Sequence, residues 1–218
     1  MIELHQHKHS KLVTLKQAML QKMFPQDGAT TPEIRFKGFL GDWVGKPFNL
    51  ITSRGSQSCS EGFLPRLEYE DIISNSGRLN KDLLTKNSNK KGIKFEKGDV
   101  LFGKLRPYLK NWLLASFEGI AVGDFWVLTS SQTDSSFLYR LIQTEKFEKV
   151  ANQSAGSKMP RSDWSLVSTT VFFIPSHHAE QQKIGQYFSK LDELISRHAT
   201  QLNKLKQIKS ACLEKMFV

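Results

Sequence analysis

Basic side chains concentrate in one stretch of this 218-residue chain, which has a net charge of +10. Ten Lys and Arg residues lie between Arg78 and Lys110, against three acidic residues, whereas the following forty residues hold three basic and five acidic ones. Basic side chains bind phosphate oxygens, and Arg can also donate two parallel hydrogen bonds to guanine. The local excess therefore predicts a nucleic-acid-binding surface. An ordinary solvated surface is the alternative that charge alone leaves open.

The candidate contacts lie in four polar segments. The lysines of residues 86–94 are surrounded by Asn, Ser and Gly, which suits a loop that orders on DNA, or an ordinary loop. Alternation around Pro107 places several polar side chains on one side of the chain, and surface charge remains an alternative for Lys110. Small residues around Ser157 let the backbone approach phosphates closely, or simply connect two elements. The candidate DNA-binding residues are Arg54, Lys86, Lys90, Lys91, Lys94, Lys104, Arg106, Tyr108, Lys110, Ser157, Lys158 and Arg161.

Catalytic motifs are absent from the sequence. It contains no GxxxxGK[ST] phosphate loop, no HExxH and no GxSxG. A DNA methyltransferase would need a glycine-rich cofactor loop and an Asn/Asp-Pro-Pro-aromatic motif, and neither occurs. A common nuclease would need clustered carboxylates with a nearby Lys, but no suitable Lys follows the acidic group Glu68, Glu70 and Asp71. A protein without catalytic activity is therefore expected.

Metal and membrane sites are not predicted either. Of His5, His7 and His9, only the first and third share a helix face, so a frayed terminus is favoured over a zinc site. Cys59 and Cys212 lie far apart and form no metal-binding motif. The sequence holds no run of 18 apolar residues and no apolar leader at its N-terminus, so we expect a cytoplasmic protein.

The elements that must position these residues fall into four stretches. Residues 1–24 are typical of a helix, and residues 25–43 of a linker rich in Pro and Gly. Residues 44–178 mix short β-type runs with turns, which predicts an α+β domain with an antiparallel or mixed sheet. Residues 179–218 contain no Pro and predict one long helix.

Local patterns place individual elements within the α+β domain. Apolar and β-branched runs predict strands at Gly98–Leu105, Ile120–Leu128 and Ser168–Ile174. Residues Ser135–Ala151 have a helical period, with Ser135 or Ser136 as the N-terminal cap.

The C-terminal helix carries apolar residues at alternating steps of four and three. At about 1.5 Å per residue it is roughly 57 Å long, which exceeds what a domain of this size can cover. We therefore expect it to meet another long helix, with a helix folded back on its own domain as the alternative. The predicted dimerisation seam consists of Ile184, Phe188, Leu191, Ile195, Leu202, Leu205 and Cys212.

An internal repeat links the two ends of the chain. A shift of 193 residues aligns KLVTLKQAMLQKMF, from Lys11, with KLKQIKSACLEKMF, from Lys204, and eight of fourteen positions are identical. The chain therefore resembles one complete repeat unit that follows the tail of a preceding one. On this interpretation the N-terminal helix is a remnant of a helix equivalent to the C-terminal one.

Four segments in order resemble the specificity subunits of type I restriction–modification systems. Pro32–Trp43 is similar to the entry into their target-recognition domains, and Gly98–Asn111 to a recurrent strand and loop. Ser154–Trp164 resembles the loop before their last strand, and Ile174–Ile195 resembles the exit into the spacer helix. His177-His178 departs from the family pattern.

The resemblance implies a half-length, non-catalytic, DNA-binding subunit. A full subunit has two recognition domains and two helices, so two copies of this chain would pair through antiparallel helices, each recognising half of a bipartite site on double-stranded DNA. Methylation (M) subunits would dock on this scaffold, with restriction (R) subunits joining through them. S-adenosylmethionine, ATP and Mg²⁺ would bind to those partners and not to this chain. An antirestriction decoy and a coiled-coil interaction protein with incidental basic charge remain alternatives.

Overall fold

The computed structural model describes residues 1–60, 63–83, 89–130, 132–153 and 158–216. The helices are α1 (Ile2–Lys22), α2 (Phe48–Ile51), α3 (Ser135–Leu141), α4 (Glu145–Ala151), α5 (Trp164–Thr169) and α6 (His178–Met216). The strands are β1 (Val44–Pro47), β2 (Ser53–Arg54), β3 (Ser58–Cys59), β4 (Arg66–Leu67), β5 (Ile72–Ile73), β6 (Arg78–Leu79), β7 (Gly92–Phe95), β8 (Val100–Gly103), β9 (Trp112–Leu114), β10 (Gly119–Ala121), β11 (Phe125–Thr129) and β12 (Val171–Ile174). Short 3₁₀ helices cover Tyr69–Asp71 and Pro107–Leu109.

Two four-stranded sheets form the centre of the domain, which confirms the predicted α+β class. One sheet has the order β2-β11-β8-β9 with antiparallel pairs, and the other has the order β3-β7-β10-β4, in which β10 and β4 are parallel. Strands β1 and β12 form a separate antiparallel pair, as do β5 and β6. The sheet content is therefore mixed, as the sequence predicted.

Both faces of β8 are buried, which explains its continuous apolar sequence. Val100 and Phe102 belong to the larger core cluster, with the helices, whereas Leu101 belongs to a second cluster on the opposite face. The same alternation runs along β11, where Trp126 and Val127 lie in different clusters. Successive side chains of a strand point to opposite faces, so a strand covered on both sides needs apolar residues at every position.

Two of the three predicted strands are interrupted. Ile120–Leu128 turns at Gly123, which has φ +96°, and thereby becomes β10 and β11 in different sheets. Ser168 and Thr169 lie at the end of α5, so only the second half of the third segment is a strand. A glycine with positive φ marks a turn that apolar content alone does not reveal.

The predicted helix Ser135–Ala151 is two helices, and its cap was assigned wrongly. The carboxylate of Asp134 accepts hydrogen bonds from the backbone N–H groups of Ser136 and Phe137, so Asp134 is the N-cap of α3. Thr144 caps α4 by accepting from the N–H of Phe147 at 3.4 Å. Both side chains satisfy N–H groups that have no partner within their helix.

The first part of α6 packs on its own domain. Ile184, Phe188 and Leu191 are buried in the larger core cluster, so their assignment to a seam with a second copy is wrong. Close packing is possible because residue 185 is glycine, where a Cβ atom would lie 1.8 Å from the Ser136 hydroxyl of α3. The alternative of a helix folded back on its domain is therefore correct for this part.

Helix α1 packs antiparallel on α6. Lys16 Nζ lies 2.7 Å from a carboxylate oxygen of Asp192, and the Nδ1 atoms of His5 and His198 are 3.1 Å apart. The N-terminus is thus helical from Ile2 onward, and the expectation of a frayed terminus is wrong. Between Met1 and Lys22 no residue is fully buried, whereas Met23 and Phe24 are.

The second part of α6 extends past α1. Helix α6 has 39 residues against 21 for α1. Ile195, Leu202 and Leu205 are half-buried, and Cys212 is exposed. None of the helices in the described ranges is long and apolar enough to cross a membrane.

Candidate nucleic-acid interface

Two of the predicted DNA-binding segments lie side by side. The turn between β8 and β9 meets the chain just before α5, where Leu105 and Arg161 form an isolated antiparallel bridge. The N–H of Arg106 donates to the carbonyl of Pro160 at 2.7 Å, and the N–H of Ser162 donates to that of Lys104 at 2.8 Å. Two segments separated by more than fifty residues in sequence therefore form one surface.

The partly buried side chain of Tyr69 holds this surface in place through hydrogen bonds. Its hydroxyl donates to the backbone carbonyl of Asp124 at 2.5 Å and accepts from the N–H of Leu105 at 3.0 Å. Burial raises the pKa of Tyr69 far above its usual value, so the phenol stays protonated. The ring also packs against Phe125, with centroids 4.6 Å apart. A neutral phenol thus links the start of the turn, at Leu105, and the backbone of Asp124 to the core.

The turn itself presents side chains outward. Arg106 and Lys110 have positive φ angles of 49° and 56°, and they flank the 3₁₀ helix that starts at Pro107. Left-handed conformations are uncommon for residues other than glycine and are held here by the surrounding contacts. Pro107 is buried, whereas Arg106 and Tyr108 are exposed. The turn is therefore anchored at its proline and open to solvent on both sides of it.

Charge on this surface is unbalanced. Asp124 is a carboxylate on this surface, lying 3.5 Å from Lys104 Nζ and 3.1 Å from the Arg161 guanidinium. Arg106 and Lys158 are exposed and form no ion pair with any residue that the structure describes. We call this set the basic loop surface; it consists of Lys104, Arg106, Tyr108, Lys158 and Arg161.

Further predicted contacts are Arg54, Lys90, Lys91 and Lys94. Arg54 is exposed and stacks on Trp164, with its guanidinium carbon 5.0 Å from the ring centroid. Lys91 is exposed as well. Lys90 and Lys94 form ion pairs with glutamates at 3.0 and 3.7 Å, which reduces their free charge.

Lys110 has a partner within the protein. Its Nζ lies 2.6 Å from one Glu148 carboxylate oxygen and 2.7 Å from the other, and it is 5.9 Å from the Trp112 ring centroid. These contacts favour the surface-charge alternative over a DNA contact for this residue. Two further candidates, Lys86 and Ser157, lie outside the described residues.

The acidic group near Tyr69 has a structural role. Asp71 accepts a hydrogen bond from the N–H of Glu68 at 2.8 Å and pairs with Lys81 at 2.8 Å. It is the N3 residue of a capping box whose N-cap is Glu68, and it is fully buried. Over the described ranges, no group of three or more His, Cys, Asp or Glu side chains is arranged to hold a metal ion.

Two charged pairs that sequence reasoning missed join the domain to α6. Arg35 donates to both carboxylate oxygens of Glu180, at 2.6 and 2.8 Å, and the Glu180 side chain is fully buried. Arg140 of α3 donates to Asp192 at 2.6 Å, and Lys16 of α1 reaches the same carboxylate. We call these five residues the helix joint.

The helix joint connects two of the segments that resemble the family, the entry segment Pro32–Trp43 and the exit segment Ile174–Ile195. Arg35 belongs to the entry segment and Glu180 to the exit segment, 145 residues apart, and the pair locks them to each other. Gln181 adds a hydrogen bond from its side-chain amide to the Pro175 carbonyl and accepts one from the N–H of Asp134. The sequence around Arg35 and Glu180 does not distinguish these buried charges from exposed ones. The only signal in the sequence was that both residues lie in segments that resemble the family.

Comparison with known proteins gives consistent similarities. A family model described as the type I restriction modification DNA specificity domain matches residues 56–207. The type I restriction enzyme EcoDI specificity subunit of Escherichia coli is 24% identical over 127 residues, which is 56% of this chain and 28% of that protein.

Solved structures show the same fold. The HsdS subunit of Thermoanaerobacter tengcongensis superposes with a TM-score of 0.60 at 16% identity, covering 98% of this chain and 52% of that one. The type I restriction-modification S subunit of M. genitalium gives a TM-score of 0.60 at 15% identity, covering 98% and 58%. The chain thus spans little more than half the length of these structures.

Proposed function

The family model covers more than half of the chain, so the protein belongs to the type I restriction modification DNA specificity family, and we propose that it recognises one half of a bipartite DNA target. Specificity subunits of type I systems are DNA-recognition components without catalytic activity. The observation that carries the proposal is the basic loop surface, where two segments distant in sequence present four cationic side chains, of which two pair with Asp124.

Recognition by this surface would combine two kinds of contact. Lys104, Lys158 and Arg161 supply positive charge for phosphates, which holds the protein on the duplex without regard to sequence. Arg106 is free of ion pairs among the described residues and projects from an anchored turn, so it is the best candidate for contact with a base edge. Tyr108 offers an exposed ring and hydroxyl beside it.

The described residues of one copy hold one such surface, and a bipartite target needs two. We therefore propose a homodimer through the C-terminal helix, which would present two identical surfaces. Twofold symmetry then makes the target an interrupted palindrome, with a spacing that the paired helices set.

Catalysis would come from partners. Methylation subunits would dock on the dimer and restriction subunits would join through them, so that S-adenosylmethionine, ATP and Mg²⁺ act on those chains in the cytoplasm. A base must leave the stack to be methylated, and its pocket would belong to the methylation subunit.

Co-purification tests this proposal. The chain is expressed with a cognate methylation subunit, and modified adenines or cytosines are mapped along genomic DNA. Methylation at one interrupted palindrome is the expected result. An antirestriction decoy would bind the methylation subunit but leave no sequence-specific methylation. A coiled-coil interaction protein with incidental charge would bind neither the subunit nor a preferred DNA sequence.

A further inference from the structure

Helix α1 covers a surface on α6 and on the domain, which we call the α1 dock. Residues 204–217, the α6 tail, repeat the sequence of residues 11–24. We infer that the tail of a second copy binds the α1 dock in place of α1. This deepens the homodimer of the proposed function and rests on it.

The tail carries the residues that hold α1 in place. Leu12, Met19 and Leu20 pack against the larger core cluster, and Lys16 pairs with Asp192. A shift of 193 residues converts these four into Leu205, Cys212, Leu213 and Lys209. Two of the three apolar residues and the lysine are unchanged, so the tail offers the dock nearly the same contacts.

The last two residues of the repeat correspond to Met23 and Phe24, the buried residues that follow α1. Met23 and Phe24 are 3% exposed, and Phe24 stacks on Phe137 with ring centroids 5.5 Å apart. Their equivalents in sequence are Met216 and Phe217. A helix that docks by this pattern therefore brings its own Met-Phe pair to the aromatic site.

Helix α1 is held loosely enough to be replaced. None of its 21 residues is fully buried, and a cleft of about 730 Å³ lies beneath it, lined by residues of α1, α3, α6 and the β5–β6 hairpin. The tail, by contrast, leaves Ile208 and Leu213 exposed at 59% and 43%. Covering Leu213 in a second copy would remove apolar surface from water that the monomer leaves exposed.

The geometry of the exchange is symmetric. In the structure Lys16 faces Asp192 and His5 faces His198, which is its own repeat equivalent, 193 residues away. After exchange, Lys209 of one copy faces Asp192 of the other, and the two His198 residues face each other. His198 has 20 residues of α6 before it and 18 after it, because α6 runs from His178 to Met216. A twofold axis through His198 therefore pairs the whole of both helices.

Helix α1 then acts as an intramolecular competitor of dimerisation. It is tethered by residues 25–43 to the domain that it covers, so its effective concentration is high, on the order of millimolar for a short linker. A dimer offsets this advantage because two tails dock at once. The balance between the two states depends on how firmly α1 binds.

Sedimentation of the full-length chain tests the exchange. The substitution Leu20→Asp weakens α1, and we expect self-association to strengthen at least tenfold. Adding Leu213→Asp to the same chain removes the incoming tail, and the double variant should be monomeric. The matched control is Ile208→Asp, because its equivalent Leu15 is an exposed residue of α1 and the exchange makes no use of it. In the Leu20→Asp background this control should dimerise normally.

Zero-length cross-linking gives a second measurement. In a mixture of isotopically light and heavy Leu20→Asp chains, a carbodiimide should join Lys209 of one copy to Asp192 of the other. A dimer that Leu213→Asp leaves intact, without this cross-link, would overturn the exchange and keep the homodimer. If the parent chain and all variants were monomeric, both the exchange and the homodimer would be overturned. DNA recognition by each copy is tested separately, by the methylation map.

Discussion

The basic loop surface and the helix joint both bring arginines to carboxylates, but they differ in balance and burial. In the joint, Arg35 meets a fully buried Glu180, and the nearly buried Arg140 shares Asp192 with Lys16. On the loop surface the side chains of Lys104 and Arg161, which pair with Asp124, are 31% and 54% exposed. Arg106 and Lys158 lie on the same surface without an ion pair to any described residue. Ion pairs between largely buried side chains fix the position of a helix, whereas exposed cations leave charge available for a polyanion. The same residue types therefore serve structure in one region and binding in the other.

The largest effect is expected in the helix joint. Arg35→Met leaves the buried Glu180 carboxylate without its guanidinium, which should lower the free energy of unfolding by about 3 kcal/mol. The control is Lys22→Met, because its pair with Glu33 is exposed on both sides and should contribute less than about 1 kcal/mol. Urea denaturation measures both. An equal decrease in the free energy of unfolding in the two variants would contradict the distinction between the buried ion pair and the exposed one.

The next effect concerns the loop surface itself. Arg106→Ala should weaken binding to the target duplex about tenfold, or about 1.4 kcal/mol, without changing the urea midpoint. Lys110→Ala is the matched control in the same turn, since Glu148 already holds that lysine. Its affinity should stay within about twofold of the parent chain. Fluorescence anisotropy at physiological salt separates the two, and unchanged binding by Arg106→Ala would remove that residue from the interface.

A smaller effect should come from the acidic residue on the loop surface. Asp124→Asn frees Lys104 and Arg161, so affinity for non-specific DNA should rise about threefold and the dependence on salt should steepen. Glu193→Gln changes net charge equally but lies on α6, paired with Arg197. It should leave binding nearly unchanged. An identical increase in both variants would mean that net charge alone governs affinity.

The smallest effect should appear at the contact between α1 and α6. Desolvation, together with His5, Lys8, His9 and Arg197, lowers the pKa of His198 in the packed state. A base with a lowered pKa binds a proton more readily once it is released, so packing of α1 should weaken as pH falls below about 6.5. The thermal midpoint should therefore drop slightly more between pH 8 and pH 5.5 than it does in His198→Gln. Parallel pH profiles would contradict this.

Sequence reasoning predicted the elements better than their partners. The α+β class, the C-terminal helix and strand β8 followed from periodicity and composition. The caps at Asp134 and Thr144 were missed because an apolar period continues across them. The seam residue Leu191 fits a coiled coil and a domain core equally well, since both need the same spacing.

Only part of the candidate site could be predicted from the sequence, because some of its residues are marked by local signals and others are not. Charge and turn composition are local, so they identified Arg106, Lys158 and Arg161. Tyr69 and Asp124 were missed because their roles depend on contacts with residues 36 and 37 positions away. Pairing of Lys110 with Glu148 across 38 residues was equally invisible. Sequence thus indicates which residues could bind DNA, and tertiary contacts decide which of them remain available.

Photo-cross-linking to DNA tests the central claim most directly. The chain, bound with its methylation subunit to a duplex selected from a random pool, is irradiated, and the cross-linked peptides are identified by mass spectrometry. We expect cross-links within residues 104–108 and 158–161. Cross-links confined to α6 or to the helix joint, with none from those two segments, would contradict it.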